Sequence, residues 1–146
     1  MARVVNRVNK KEQLTVDAKT DNLEQVLDFI NEQIELCDCS MKVQIQIDIA
    51  VEEIFVNIAN YAYQDKIGQA EVQTEIQEDP LTIFITFIDS GIPYDPLAKE
   101  DPDTTLSAED REIVGLGIFM VKKSMDNISY EYKQGHNILT LQKALV

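Results

Sequence analysis

Two segments constrain the chain most, AEVQTEIQ (70–77) and LTIFITFI (81–88), separated only by Glu78-Asp79-Pro80. Rich in β-branched and aromatic residues and bounded by turn formers, they read as the strands of a hairpin. NISYEYK (127–133) and NILTLQK (137–143) form a second hairpin around Gln134-Gly135-His136, and EQLTVDA (12–18) is a further strand. Helical spacing appears elsewhere. Leu23, Val26, Leu27, Ile30 and Ile34 follow a D-x-x-E capping box, Asp21 and Glu24, and that helix is expected to stop near Cys37. A second helix is expected after Ser40. Its stretch VQIQIDIAV alternates like a strand, but its length favours helix. GIFMVKKSMD (117–126) is a third, short helix. The order strand, two helices, hairpin, long loop, helix, hairpin predicts an α+β fold. It is expected to be a two-layer sandwich with a mostly antiparallel mixed sheet and three main helices on one face.

At 146 residues the chain suits one domain, 1–146, able to bury roughly 70% of its unfolded surface. Twenty-six acidic against thirteen basic residues give a net charge of −13. That charge repels phosphate backbones and anionic lipid, so neither nucleic acid nor membrane is an expected partner. MARVVNRVNKK lacks the apolar region of a signal peptide, and the longest apolar run is too short to span a bilayer. A cytoplasmic protein is expected. Cys37, Cys39 and the single His136 offer neither a disulfide framework nor a zinc set, and the cysteines read as reduced thiols.

On a helical wheel, Val43, Ile47, Ala50, Val51, Ile54, Ile58 and Tyr61 form one apolar stripe, expected to be core. Gln46, Glu53, Asn57, Asn60 and Gln64 border that stripe in a narrow polar column. Ile45, Ile49, Val56 and Ala59 lie on the far side, so the helix is expected to be covered twice. Burying a carboxylate and an amide at the edge of a core is costly unless each has a partner. Two readings follow. Either Glu53 and Asn57 are satisfied locally, or they face a cleft in which Asn57 offers an oxygen to a hard cation and Glu53 serves as a base.

The strand ending LTIFITFI runs into Asp89-Ser90-Gly91, an acidic group followed by a residue that permits close backbone approach. Beyond it lie more than twenty residues rich in Pro, Asp, Thr and Glu with almost no apolar periodicity, a length usually reserved for functional lids or disorder. They close at Gly115-Leu116-Gly117, directly before a helix. Glycines there expose backbone N–H groups and the positive end of the helix dipole, which suits an anion.

Each piece is common alone. Their order, E-x-x-x-N on a helix, D-x-G at a strand end, a long loop and G-x-G before a helix, resembles the bacterial anti-sigma-factor serine/threonine kinases. These are stand-alone members of the Bergerat-fold, or GHKL-type, ATPases. The resemblance covers about residues 10 to 143 and includes YDPL (94–97), DREIVGLGIFMVKKSMD and GHNILTLQK. It implies ATP/ADP and Mg²⁺ as cofactors. Asn57 would hold Mg²⁺ and Asp89 would accept from the adenine amino group. Gly91 would let the base approach the backbone, and Gly115, Leu116 and Gly117 would offer N–H groups to the phosphates. Glu53 would be the base, and Ile92 to Val114 would be a lid. Asn137, in the last hairpin, stands where related ATPases often have a Thr near adenine and would be a further cofactor-binding residue, and Tyr61 stands where many members have His.

The implied activity is phosphorylation of a Ser or Thr on a STAS-type anti-anti-sigma protein, alternating with capture of a sigma factor, by a homodimer. The alternative is an ATP-binding module that sequesters its partner without phosphorylating it. A third reading is an acidic interaction domain that binds no nucleotide. A sensor histidine kinase would need a phosphoacceptor His on a dimerising helix, and the only His sits in a hairpin turn. The lid composition is too polar to bury much surface alone. Hydrogen exchange across Ile92 to Val114 is therefore expected to slow on adding Mg-ATP, and equal rates in both states would remove the lid.

Overall fold

A computed structural model describes residues 10–64, 66–98 and 116–146. Five strands form one sheet: β1 (Lys10–Asp17), β2 (Gln69–Gln77), β3 (Thr82–Asp89), β4 (Asn127–Lys133) and β5 (His136–Ala144). Their order is β1-β2-β3-β5-β4, and every pairing is antiparallel. Because side chains alternate between faces, register decides what each row presents to the helices. Val72 stands opposite Phe87, Phe87 opposite Leu139, and Leu139 opposite Tyr130. The neighbouring row on that face is Ala70, Asp89, Asn137 and Tyr132. Apolar rows thus end in a polar pair.

Three helices cover this face: α1 (Leu23–Glu35), α2 (Met41–Asn57) and α3 (Leu116–Ser124). Val26, Ile30 and Ile34 of α1, Ile47, Val51, Ile54 and Phe55 of α2, and Ile118 and Val121 of α3 share one core with Val72, Ile83, Ile85, Phe87, Leu139 and Leu141 of the sheet. The expected α+β sandwich forms, with the sheet wholly antiparallel among the described residues. Polar groups also join α1 to α2. Asn31 Nδ2 donates to Asp48 Oδ1 at 3.1 Å and Gln44 Nε2 to Asn31 Oδ1 at 3.0 Å. Burial pushes the Asp48 carboxyl above its ordinary value, opposed by the Asn31 hydrogen bond.

Three expectations need correction. The capping box does not form, because Thr20–Asn22 makes a 3-10 turn and α1 begins at Leu23. Asn22 occupies the cap position without a side-chain cap bond, its amide donating instead to Asp17 O at 2.9 Å. Tyr61 is not core but 58% exposed, and Ala62 is buried in its place. A π-helical turn, Ile58–Ala62, continues α2, and its wider winding rotates the following side chains off the α-helical wheel. Finally, the far side of α2 is not fully covered among the described residues, since Ile45 and Ile49 are exposed while Val56 and Ala59 are half-buried.

The start of α2 follows its sequence signal, with Ser40 Oγ accepting from Val43 N at 3.2 Å. Ser40→Ala should therefore cost about 1 kcal/mol of stability in urea unfolding. Asp21→Ala, lacking a cap bond, should stay within about 0.5 kcal/mol; equal losses would restore the box at α1.

Candidate functional site

The C-terminal end of α2, its π turn and the adjoining ends of β3 and β5 enclose a cleft. Its walls are apolar, from Ile54, Ile58, Ala62, Phe87, Ile92 and Leu139, with Tyr94 and Tyr130 adding aromatic surface. Only Asn57, Asp89 and Asn137 bring amide or carboxylate groups to it. Mostly apolar walls with a few convergent polar groups are the usual character of a small-molecule site.

Asp89 is 6% exposed. Its Oδ1 accepts from Gly91 N and from Asn137 Nδ2, each at 2.9 Å, and Oδ2 has no partner among the described residues. An unpaired oxygen on a buried carboxylate is costly without a donor, and a ligand amino group would supply one. The turn after β3 is fixed from the other side by α2. Ile92 N donates to Ala62 O at 2.9 Å, and a Cβ on Gly91 would lie 2.2 Å from that oxygen. Only glycine permits this approach. Tyr63 binds the same turn, its hydroxyl accepting from Ser90 N at 2.8 Å and donating to Gln69 O. Burial pushes the phenol of Tyr63 above its ordinary value, so the hydroxyl keeps its proton to donate.

One turn earlier on α2, Asn57 Nδ2 donates to Glu53 Oε2 at 3.0 Å, leaving Asn57 Oδ1 without a partner among the described residues. The Glu53 carboxylate lies against α3, where a Cβ on Gly117 would meet its Oε1 at 2.2 Å. The helix starts at Leu116, one residue earlier than expected, and Gly117 stands in its first turn. The first backbone N–H groups of such a turn have no intrahelical partner.

The structure thus gathers Glu53, Asn57 and Gly117 at one place and Asp89, Gly91 and Asn137 at another, with Asn57 also lining the cleft beside Asp89. Gly115 lies outside the described residues, as does the expected lid beyond Ala98, and Leu116 is the first residue of α3. Sequence reasoning missed Tyr63, Tyr94 and Tyr130. Tyr130 was within reach, because it shares a face of β4 with Ile128 and its row faces the helices. Its hydroxyl donates to Asn137 Oδ1, and burial raises its pKa and keeps it protonated.

The sequence matches the family described as the histidine kinase-like ATPase domain over residues 16–143. The chain belongs to that family. Among its curated relatives are the Serine-protein kinase RsbW of Bacillus cereus (strain AH187) and that of Bacillus thuringiensis subsp. konkukian (strain 97-27). Each is 28% identical over 95 residues, covering 62% of this chain and 58% of the relative. The chain thus matches little more than half the length of these relatives. The solved RsbU and RsbW domains of a Mycobacterium tuberculosis protein superpose on 93% of this chain and 32% of theirs, with a TM-score of 0.67 and 16% identity. The histidine kinase domain of the Erythrobacter litoralis EL346 blue-light activated histidine kinase covers 89% of this chain, at 62% of its own, with a TM-score of 0.55 and 15% identity. These two share the fold. Among the described residues, no helix of this ATPase domain is long and apolar enough to cross a membrane.

The two site glycines of the domain should respond differently to alanine. Gly91→Ala drives a Cβ into backbone that cannot yield and should cost about 1–3 kcal/mol. Gly117→Ala meets only the end of a flexible Glu53 side chain and should cost less than about 0.5 kcal/mol while displacing the carboxylate. Denaturant unfolding of both variants checks this; equal losses would place rigid structure at Gly117.

Proposed function

We propose that the chain is an ATP-dependent protein serine/threonine kinase of the anti-sigma type, acting on a STAS-type anti-anti-sigma partner. One observation carries the reading most. The buried carboxylate of Asp89, whose Oδ2 has no partner among the described residues, lines an apolar cleft together with Asn137 and with Asn57, itself hydrogen bonded to Glu53. A flat base with an exocyclic amine fits one part of that cleft, and a charged phosphate end with its metal fits the other. The names of the curated relatives add support for kinase chemistry.

In this reading Asp89 Oδ2 accepts a hydrogen bond from the adenine amino group, and Gly91 leaves room for backbone close to the base. Asn57 offers Oδ1 to Mg²⁺, a hard cation that prefers oxygen ligands. When bound, the ion supplies neutralisation of phosphate charge, which a protein of net charge −13 otherwise lacks. The N–H groups of Leu116 and Gly117 at the start of α3 would face the phosphates, and Gly115, outside the described residues, is assigned to the same role. Glu53 takes the proton from the partner's Ser or Thr hydroxyl. As that proton leaves, the hydroxyl oxygen forms its bond to the terminal phosphorus, and the bond to the bridging oxygen of ADP breaks. Capture of a sigma factor in the alternate state, and action as a homodimer in the cytoplasm, complete the proposal.

Two substitutions separate the assigned roles. Asn57→Ala should abolish metal-dependent ATP binding and every later step. Glu53→Gln should keep nucleotide binding and partner capture while phosphate transfer falls about 10²–10⁴-fold. ATP titration with Mg²⁺ and labelled-phosphate transfer to the STAS-type partner measure both. Normal transfer by Glu53→Gln would remove Glu53 from the chemistry, and normal binding by Asn57→Ala would sink the metal assignment.

A further inference from the structure

Asn137 was expected beside adenine, yet its amide has no capacity left for a ligand. A side-chain amide offers two N–H donors and an oxygen with two lone pairs. Here Nδ2 donates to Asp89 Oδ1 at 2.9 Å and to Ile92 O at 2.8 Å. The oxygen accepts from Tyr94 N at 3.1 Å and from the Tyr130 hydroxyl. The residue is 7% exposed, so water does not readily replace any of these partners.

We propose that Asn137 is a positioning residue for base selection. It rests on the ATP reading above. By filling Asp89 Oδ1, the amide stops the carboxylate from rotating and leaves Oδ2 as the acceptor available at the cleft. By holding Ile92 O and Tyr94 N, it fastens the chain leaving β3 to β5, and so fixes the aromatic wall contributed by Tyr94. A fixed acceptor selects a purine that carries an exocyclic amine and repels one that carries a carbonyl in the same place. Threonine, with a single donor and a shorter reach, could not satisfy this whole set. The selectivity of the cleft therefore depends on a side chain that does not touch the ligand.

Calorimetric titration of wild type, Asn137→Ala and Tyr130→Phe with Mg-ATP and with Mg-GTP tests the proposal. Amide exchange at Gly91 and Tyr94 in the nucleotide-free proteins provides a second readout. Wild type should prefer ATP. In Asn137→Ala the preference should narrow about tenfold, mainly through weaker ATP binding, since a hydrogen bond to a charged group is lost and its geometry released. Exchange at Tyr94 should accelerate in the same variant without nucleotide. Tyr130→Phe removes one of the four bonds and should narrow the preference about threefold; it decides the matter if Asn137→Ala does not fold. An ATP-preferring wild type with the same preference retained in the folded variants would overturn this inference alone. A wild type that binds neither nucleotide, or both equally, would overturn the adenine reading and this inference with it.

Discussion

A carboxylate at the end of an otherwise apolar strand row governs the site. Strand alternation puts Ile83, Ile85, Phe87 and Asp89 on the same face of β3, and the register with β2 and β5 leaves no room for a slip, which would turn the whole row outward. Asp89 must therefore enter the core with its charge. Taking an ionised carboxylate out of water costs several kcal/mol unless donors replace the lost solvent. Both donors to its Oδ1 come from positions that this placement itself defines. Gly91 N reaches back from the turn, and Asn137 stands directly opposite in β5. Each is in turn held by other parts of the fold, so fixing one charge organises the turn after β3, the end of β5 and the π turn that packs on Gly91.

Helix α2 serves the other half of the cleft through a different device. Its inner face is apolar enough to anchor it, with Ile47, Ala50, Val51 and Phe55 fully buried. Glu53 and Asn57 flank that face instead of opposing it, so they are held rigidly without needing to be core. The absent side chain of Gly117 then lets α3 come close to the Glu53 carboxylate. A regular α-helical continuation would have carried Tyr61 inward; the π turn instead buries Ala62 and aims its carbonyl at Ile92 N. Local irregularity, in a helix that begins with an ordinary serine cap, is what connects it to the strand carrying Asp89.

Much of this was legible in the amino-acid order. The strands lie within one or two residues of where β-branched and aromatic runs placed them, because period-2 burial is a local signal. The polar column through Glu53 and Asn57 was also visible, since a wheel needs only spacing. Three things were hidden for physical reasons. The π turn has no composition of its own, so Tyr61 was assigned to the wrong face. The 3-10 turn at Thr20–Asn22 shifted the start of α1 past the apparent capping box. The saturation of Asn137 depends on partners 7, 43, 45 and 48 positions away, and no local pattern encodes them.

The clamp made by Tyr63 constrains how relatives of this chain can diverge. Its ring lies so close to Gly68 that a Cβ there would fall 2.1 Å from the ring edge, while its hydroxyl joins Gln69 to Ser90. Loops normally accept substitution and length change with little consequence. Here two loops far apart in sequence share one phenol. A larger residue at 68 evicts the ring, and losing the ring leaves the Ser90 N–H beside the Asp89 carboxylate without its acceptor. Positions 63 and 68 are thereby bound to drift together, whereas position 90, which contributes only its backbone N–H, accepts any residue but proline.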